Sequence, residues 1–324
     1  MTGRTRPVVV AGLPRSGTTW ALTALGTSPG CRAVPEPDNE DNVPSAIHAK
    51  HRHGRYPVLG PGEAADAYRR LWEWVFAGAY ETRRVTLARR ILAPGSRSRI
   101  FEGTPDLAAR FAGVLSRDPR GGRPPTARSA DRRIIAKSIH AELALDWLAS
   151  EFDVDVLVLL RHPANVLASW SEVKLKDSRN STLETRPEIR TRYLEPWGVP
   201  QPGADPVERM CWRIGLLTAA LEDSISRNPH WIVRSHEELC VRPEEEFRRL
   251  YAELGLEWSE RTGEYLESHN TPGRGFAVKR LAAEMPNSWE SRLDDDQLAT
   301  LRRVLAWFPI TTWTESDLER TSSR

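Results

Sequence analysis

The sequence predicts a three-layer α/β/α fold with a central parallel sheet, and three observations support this prediction. Strand-like runs alternate along the chain with segments of helical periodicity, which is typical of βαβ units. The run VDVLVLL at 154–160 shows no polar alternation, as expected for a strand buried on both faces. The first strand leads through a glycine-containing turn into a helix, as phosphate-binding loops do. We expect a single domain over residues 1–324, because no internal repeat or clear boundary divides the chain.

The individual elements follow from apolar periodicity and from turn residues. Strands are predicted at 7–11, 134–136, 154–160 and 231–233. Helices are predicted at 17–25, 64–92, 105–115, 142–150, 164–174, 207–226, 244–254 and 294–307. Residues 28–62 are expected to form a long loop with at most one short helix, and 269–290 a second loop. Irregular segments that face the substrate are expected at 38–62, 116–131 and 176–205.

Composition excludes several functional classes. The 46 basic and 44 acidic residues leave a net charge of +2, whereas non-specific nucleic-acid binding needs a broad basic excess. Cys31, Cys211 and Cys240 lack the spacing of a disulfide framework or a zinc knuckle. No run approaches the ~20 apolar residues that span a bilayer, and the run at 8–11 is too short for a signal peptide. We therefore expect a cytoplasmic protein with no membrane span and no nucleic-acid partner.

The strongest local signal is VVVAGLPRSGTTW at 8–20, which predicts an anion site. Backbone N–H groups and the helix dipole attract an anion where SGTT opens the helix. A nucleoside triphosphatase loop has Lys where this chain has Thr18, and a strand-end Asp for Mg²⁺ where this chain has Arg161. Both departures argue against ATP hydrolysis and favour a metal-free site for a phosphorylated ligand.

Three segments together resemble one known family. GLPRSGTTW resembles the 5′-phosphosulfate loop of sulfotransferases that use 3′-phosphoadenosine 5′-phosphosulfate (PAPS), in a form closer to the Golgi and bacterial branches than to the cytosolic one. LVLLRHPANVLASW resembles their 3′-phosphate motif, with Arg161 at a strand end and Ser169 eight residues later. WIVRSHEELCVRPEEEFRRLYAELGL resembles a later family segment, with His236 in the usual tyrosine position. The resemblance covers about residues 7–310 and implies a P-loop-NTPase-like sulfotransferase fold.

The resemblance implies a sulfotransferase that moves a sulfuryl group from PAPS to an acceptor hydroxyl or amine without a metal. The product of the cofactor is then 3′,5′-adenosine bisphosphate. The cofactor-binding residues that it implies are Pro14, Arg15, Ser16, Gly17, Thr18, Thr19, Trp20, Arg161, Ser169 and His236. The basic segment TPGRGFAVKR at 271–280 offers Arg274, Lys279 and Arg280 for the 3′-phosphate, and the sequence does not separate them.

Two cations are candidates for the chemistry itself. Arg15 projects from the phosphate loop and is permanently charged, which suits it to neutralise the leaving 5′-phosphate. Lys137 ends the strand-like run IIAK, where the family often places a Lys near the transferred group. It is one of five Lys in a chain with 41 Arg, so a compact ammonium is indicated there.

Glu36 is the preferred general base. It lies 21 residues after Arg15 and resembles the Glu of tyrosyl-protein and several bacterial sulfotransferases, and prolines on both sides restrict its backbone. His140, three residues after Lys137, is the alternative base. The nearby acids Asp38, Glu40 and Asp41 are expected to be solvated.

Other functions and other acceptors stay open. A P-loop kinase of small molecules and a non-catalytic nucleotide-binding protein are the alternatives to a sulfotransferase. HAKHRHGRY at 48–56 lacks a Cys or paired carboxylates to complete a metal site, so a solvated loop is expected there. The acceptor could be a carbohydrate, a phenol or an acidic metabolite, and the sequence does not indicate an oligomeric state.

Overall fold

A computed structural model describes residues 6–40, 43–78, 132–173, 183–270 and 286–320 of the chain. The strands, in chain order, are β1 (Val8–Ala11), β2 (Cys31–Pro35), β3 (Arg133–Ser138), β4 (Asp155–Leu160) and β5 (Ile232–Ser235). They form a five-stranded sheet in the order β2-β3-β1-β4-β5. The pairs β1/β3, β2/β3 and β4/β5 are parallel. The predicted α/β class with a central parallel sheet flanked by helices is thereby confirmed.

Helices account for most of the remaining described residues. They are α1 (Thr18–Leu25), α2 (Pro44–Lys50), α3 (Asp66–Phe76), α4 (Leu145–Glu151), α5 (Pro163–Glu172), α6 (Pro206–Arg227), α7 (His236–Val241), α8 (Pro243–Glu253), α9 (Glu260–His269) and α10 (Asp295–Leu305). Shorter helical turns lie at Glu142–Ala144, Pro187–Ile189, Arg190–Leu194, Glu195–Trp197 and Glu315–Leu318. In the part of the chain that the structure describes, no helix has the length and apolar character to cross a bilayer.

The chain divides into two compact units, of which the first comprises residues 1–11 and 25–156. In this unit β3 pairs with β1 on one side and with β2 on the other, and Pro35 is opposite Lys137. Every residue of β1 is buried, and so is β3 after its first residue, as parallel strands require. This register brings the carboxyl ends of β2 and β3 together, so residues that follow β2 meet Lys137.

The second unit comprises residues 12–24 and 157–324. The end of β4 pairs with β5, Leu157 opposite Ile232. Helix α6 begins at a strong cap, because the Asp205 carboxylate accepts from the backbone N–H groups of Val207 and Glu208. Helix α5 is buried over residues 163–170, so the strand-end motif that precedes it is fixed in the core of this unit.

The amino-terminal part of the first unit differs from the sequence prediction in two places. Strand β2 lies in the stretch expected to be a loop. Its five residues are too few to give a clear periodicity signal. Its last residue, Pro35, is tolerated because β2 is an edge strand of the sheet. Helix α2 is the one short helix expected there. Helix α3 ends at Phe76, because Gly78 takes a left-handed conformation (φ 69°) just past the helix end. The rest of the predicted helix, 79–92, lies outside the described residues.

Other differences concern short elements of the second unit. Helices α7 and α9 were not predicted, and residues 187–197, expected to be irregular, form helical turns. The predicted helix at 105–115, the segment 116–131 and most of the loop 269–290 lie outside the described residues.

Candidate functional site

Two glycines give the turn between β1 and α1 its shape. A Cβ at Gly12 would lie 2.4 Å from the backbone oxygen of Leu159. Gly17 has φ 80°, and a Cβ there would lie 2.3 Å from Cδ2 of His236. Any larger residue would therefore collide with the backbone at the first position and with a buried ring at the second. Residues 12–19, together with Arg161 and Ser169, are called the loop site below.

Three side chains fasten this loop from other elements of the second unit. The Trp170 indole Nε1 donates to the Pro14 oxygen at 2.9 Å. Arg161 Nη1 donates to the Arg15 oxygen at 2.5 Å, and Arg15 Nε donates to Ser169 Oγ at 3.0 Å. Arg15 has φ 76°, a costly conformation for a residue with a Cβ. The structure thus brings the predicted Arg15, Arg161 and Ser169 together.

Trp170 contacts the loop site through Pro14, and the sequence reasoning missed it. It directly follows Ser169 and is 1% exposed. The signal was its place at the end of the LASW motif, one residue beyond the predicted Ser169. Its role is to hold the loop by a carbonyl, which no binding motif specifies.

The loop site is cationic and contains buried donors without partners. Ser16 Oγ and Arg161 Nε are buried and have no hydrogen-bond partner among the described residues. Burial lowers the pKa of Arg161 to about 10, helped by the charges of Arg15 and Arg292 and opposed mainly by Glu237. The guanidinium therefore remains charged at neutral pH. A buried cation and a buried hydroxyl with unused hydrogen-bonding capacity fit an anionic group such as a phosphate.

Trp20, on α1, and His236, the first residue of α7, lie close to each other beside the loop site. The Trp20 ring meets His236 edge-on at 6.3 Å and Phe247 edge-on at 5.0 Å between centroids. Burial, with the charges of Arg161 and Arg15, holds the pKa of His236 well below 6.5, so its ring is neutral at physiological pH. Of the two threonines, Thr18 is buried and Thr19 is exposed.

A carboxylate turn follows β2 in the first unit. The Glu36 backbone N–H donates to the Lys137 oxygen at 2.8 Å, and the Asn39 N–H donates back to the Glu36 oxygen at 3.1 Å. Lys137 Nζ lies 2.5 Å from Glu36 Oε1, and Asn39 Nδ2 donates to Glu36 Oε2 at 2.5 Å. Residues 36–39 with Lys137 and Ser138 are called the turn site below. The structure thus pairs two residues that are 101 positions apart and that were both predicted to act in catalysis.

Glu36 is ionised and partly accessible. Burial acts to raise the pKa of Glu36, but the ammonium of Lys137, hydrogen bonds from Lys137 and Asn39, and the charge of Arg55 together lower it below 4.5. The Glu36 side chain is 20% exposed, whereas that of Lys137 is 4% exposed. A partly exposed, ionised carboxylate has the charge and the access that a proton acceptor needs.

The expectation that Asp38 and Glu40 are solvated is wrong. Asp38 is fully buried and accepts hydrogen bonds from Ser138 Oγ at 2.8 and 2.9 Å and from the Tyr68 hydroxyl at 3.0 Å. Glu40 is 5% exposed and forms ion pairs with Lys50 at 2.7 Å and Arg55 at 2.8 Å. Each buried acid is compensated by donors from other segments, which the local sequence does not reveal. Asp41 lies outside the described residues.

His140, the alternative base, is enclosed. It is 1% exposed, its Nδ1 lies 3.4 Å from Lys50 Nζ, and Tyr56 packs edge-on against its ring at 5.2 Å. Burial, with the charges of Lys50, Arg55 and Lys137, holds the pKa of His140 well below 6.5. The ring is neutral but buried, whereas the carboxylate of Glu36 is partly open.

Two further segments with basic or histidine side chains complete the comparison with the sequence. His48 and His51 stack on each other at 5.5 Å, and within the described ranges no group of three or more His, Cys, Asp or Glu is arranged to hold a metal ion. Arg274, Lys279 and Arg280 lie outside the described residues, so the predicted basic loop has no structural description.

Comparison with known proteins gives a family match. A model described as "Sulfotransferase family" matches residues 7–260, which is most of the chain. No curated protein sequence matches it.

Solved structures that are similar are distant in sequence. A sulfotransferase domain from the curacin biosynthetic pathway is 12% identical, with 94% of this chain and 99% of that chain covered and a TM-score of 0.47. A sulfotransferase from Mycobacterium tuberculosis is 13% identical, with 88% and 77% covered and a TM-score of 0.41. Retinol dehydratase in a complex with retinol and PAP is 15% identical, with 100% and 84% covered and a TM-score of 0.39.

Proposed function

The chain belongs to the sulfotransferase family, and we propose that it transfers a sulfuryl group from PAPS to an acceptor hydroxyl or amine, with Glu36 as general base. The observation that carries this proposal is the Glu36–Lys137 pair, a partly exposed, ionised carboxylate held at the carboxyl ends of two parallel strands. Ligand-binding residues of parallel sheets gather at that edge.

The loop site is suited to bind the cofactor's phosphates. Ser16 Oγ and Arg161 Nε are the buried donors available to phosphate oxygens, and the amino-terminal end of α1 adds backbone N–H groups and a favourable dipole. Arg15 adds a permanent positive charge that stabilises the negative charge of the leaving phosphate. We assign Trp20 and His236 to the adenosine end, and Arg274, Lys279 or Arg280 to the 3′-phosphate.

In the proposed reaction Glu36 accepts the proton of the acceptor O–H or N–H group. The acceptor atom forms its bond to sulfur as this proton is transferred. When bound, PAPS supplies the sulfuryl group, and the bond from sulfur to the bridging oxygen breaks with its electron pair left on the 5′-phosphate. Lys137 keeps Glu36 ionised before the transfer and offers an ammonium to the developing negative charge.

The geometry favours Glu36 over His140 as the base. The His140 ring is enclosed by Lys50 and Tyr56, whereas the Glu36 side chain is partly exposed to solvent. We propose a small molecule, a carbohydrate or another hydroxyl compound as the acceptor. A reaction without a metal and a cytoplasmic location remain predictions of the sequence.

Glu36→Gln tests the proposal. The purified protein is incubated with labelled PAPS and a panel of phenols, carbohydrates and acidic metabolites, and binding of 3′,5′-adenosine bisphosphate is measured by calorimetry. We expect turnover to fall about 10²- to 10⁴-fold, the usual contribution of a general base, with the dissociation constant of the bisphosphate unchanged. His140→Asn serves as the rival variant.

Two results would contradict the proposal. Full turnover in the Glu36→Gln variant together with a collapse in His140→Asn would transfer the role of base to His140. Binding of ATP with Mg²⁺ but not of 3′,5′-adenosine bisphosphate would favour the kinase alternative.

A further inference from the structure

Asp38 is a fully buried acid two residues after Glu36, and no motif gives it a role. We propose that Asp38 is a positioning residue, which holds the turn so that the Glu36 carboxylate stays at Lys137. This inference rests on the proposed function of Glu36. It adds a determinant of catalysis that does not touch the reacting atoms.

The turn is joined to the end of β3 by two successive side-chain links. In the outer link Glu36 Oε1 meets Lys137 Nζ at 2.5 Å, and in the inner link Asp38 accepts from Ser138 Oγ at 2.8 and 2.9 Å. Lys137 and Ser138 are consecutive, so the two acids of the turn contact consecutive residues of β3. The outer link is partly open to solvent, whereas the inner link is fully buried.

The backbone at Glu36 needs such a support. Its φ of 48° lies in the left-handed region, which is unfavourable for a residue with a Cβ. Such a conformation persists only where the surrounding structure over-determines it. The buried Asp38 carboxylate supplies a fixed point two residues later, since a buried acid that lost its donors would leave a desolvated charge.

Helix α3 holds Asp38 from a second direction. The Tyr68 hydroxyl donates to Asp38 Oδ2 at 3.0 Å, and Tyr68 itself is fully buried, stacked on Trp147 at 5.4 Å. Ser138 Oγ also accepts from the backbone N–H groups of His140 and Ala141, both at 3.1 Å. Asp38 is therefore fixed between a rigid aromatic side chain and the loop after β3.

The charges around the two acids give the arrangement a measurable signature. Glu36 faces Lys137 on β3 and is also influenced by Arg55 after α2. Burial, with the negative charge of Glu40, raises the pKa of Asp38, and the ammonium of Lys50 on α2 acts in the opposite direction. If the turn loosens, Glu36 moves away from Lys137 and loses the contact that lowers its pKa, so its titration moves upward toward the ordinary value.

The test uses Asp38→Asn and, in case that variant does not fold, Tyr68→Phe, which removes one donor and leaves the carboxylate. Misplacing a reacting group by about 1 Å can cost about a hundredfold in rate. We expect kcat to fall about tenfold to a hundredfold in Asp38→Asn and less in Tyr68→Phe. Binding of 3′,5′-adenosine bisphosphate is expected to be unchanged, and the acid limb of the pH profile of kcat/KM to move to higher pH in both variants.

Tyr251→Phe is the matched control. Tyr251 is also buried and donates from its hydroxyl, to the Ala24 oxygen at 2.6 Å, but it lies in the second unit. It should lose a similar amount of stability with no shift of the acid limb. Equal kcat and equal acid limbs in the wild type and in folded Asp38→Asn and Tyr68→Phe would overturn the positioning role.

A second measurement separates this inference from the proposed function. The Glu36 carboxyl carbon is assigned in ¹³C-labelled protein by comparison with Glu36→Gln and titrated by NMR without any substrate. An upward shift of its titration in Asp38→Asn and Tyr68→Phe supports positioning even if no acceptor is turned over. An unchanged titration refutes positioning even if Glu36 proves to be the base.

Discussion

The loop site and the turn site solve opposite electrostatic problems. In the loop site, buried donors exceed the acceptors around them, since Ser16 Oγ and Arg161 Nε have no partner among the described residues. In the turn site, each acid of the turn meets its own donor on β3, Glu36 at Lys137 and Asp38 at Ser138. Within the described residues the first arrangement is unsatisfied and therefore suits an anionic ligand. The second is satisfied within the chain and therefore suits a catalytic group that must stay in place.

This difference also explains why the two sites depend on different residue types. In the loop site, glycines and carbonyl contacts shape a turn that presents hydrogen-bond donors. In the turn site, buried hydroxyls and a buried acid hold one carboxylate in place. Three variants test the contrast, beginning with the one of largest expected effect.

Glu142 lies close to the turn site but, unlike Asp38 and Glu40, its buried carboxyl has no hydrogen-bond donor among the other described residues. Burial, together with the negative charge of Asp38, raises the pKa of this carboxyl from 4.5 to about 8. Between these values the folded chain keeps a proton that the unfolded chain releases, so stability falls as the pH rises from 4.5 to 8. A pKa difference of one between the folded and unfolded chain corresponds to ~1.4 kcal/mol. The free energy of unfolding of Glu142→Gln should therefore exceed that of the wild type by several kcal/mol at pH 8.

Urea unfolding of both proteins at pH 5 and pH 8 measures the effect. The exposed Glu264 on α9 provides the control Glu264→Gln, because water solvates that side chain in both states. A stability difference between Glu142→Gln and the wild type that stays constant with pH would show that Glu142 is solvated or paired.

Arg161→Met tests the surplus of donors in the loop site. The variant removes the buried cation that donates to the Arg15 oxygen, and a hydrogen bond to a charged group is worth ~1.5–3 kcal/mol. The dissociation constant of 3′,5′-adenosine bisphosphate should rise about tenfold to a hundredfold. Arg161→Lys should give a smaller rise, since an ammonium keeps the charge but not the planar fork.

The strand-end Arg234 of β5 is the control for that variant. It forms an ion pair with Glu253 at 2.5 Å, and it lies in the same unit. Arg234→Met should leave bisphosphate binding as in the wild type. Equal losses in the Arg161 and Arg234 variants would mean that the effect is one of general stability.

Gly17→Ala has the smallest expected effect, about tenfold weaker binding of the bisphosphate. An alanine at position 17 has an unfavourable φ of 80°, and its Cβ collides with the His236 ring. Gly30→Ala is a matched control, because Gly30 has φ 73° and nothing lies within 4 Å of its added Cβ. Gly30→Ala should lose stability but bind normally, and normal binding by Gly17→Ala would show that the loop adapts.

Sequence reasoning identified the elements whose signals are local. The apolar run of β4, the turn between β1 and α1, and the pair Arg161 and Ser169 each depend on a continuous stretch of chain, and the structure brings the last two to Arg15. The edge strand β2 was not predicted, because five residues that end in proline carry too little periodicity. Trp170 was not predicted, because its indole donates to the backbone oxygen of Pro14, which is distant in sequence.

The sequence by itself determined the family, the parallel sheet and the nomination of Glu36 and Lys137. Only the tertiary structure decided that these two residues meet, because the register of β2 on β3 pairs Pro35 with Lys137 across a hundred residues of chain. It also decided that Asp38 and Glu40 are buried, whereas the sequence predicts them to be solvated. The physical reason is that burial of an acid depends on donors from other segments, here Ser138, Tyr68 and Lys50, and a local pattern contains no information about them.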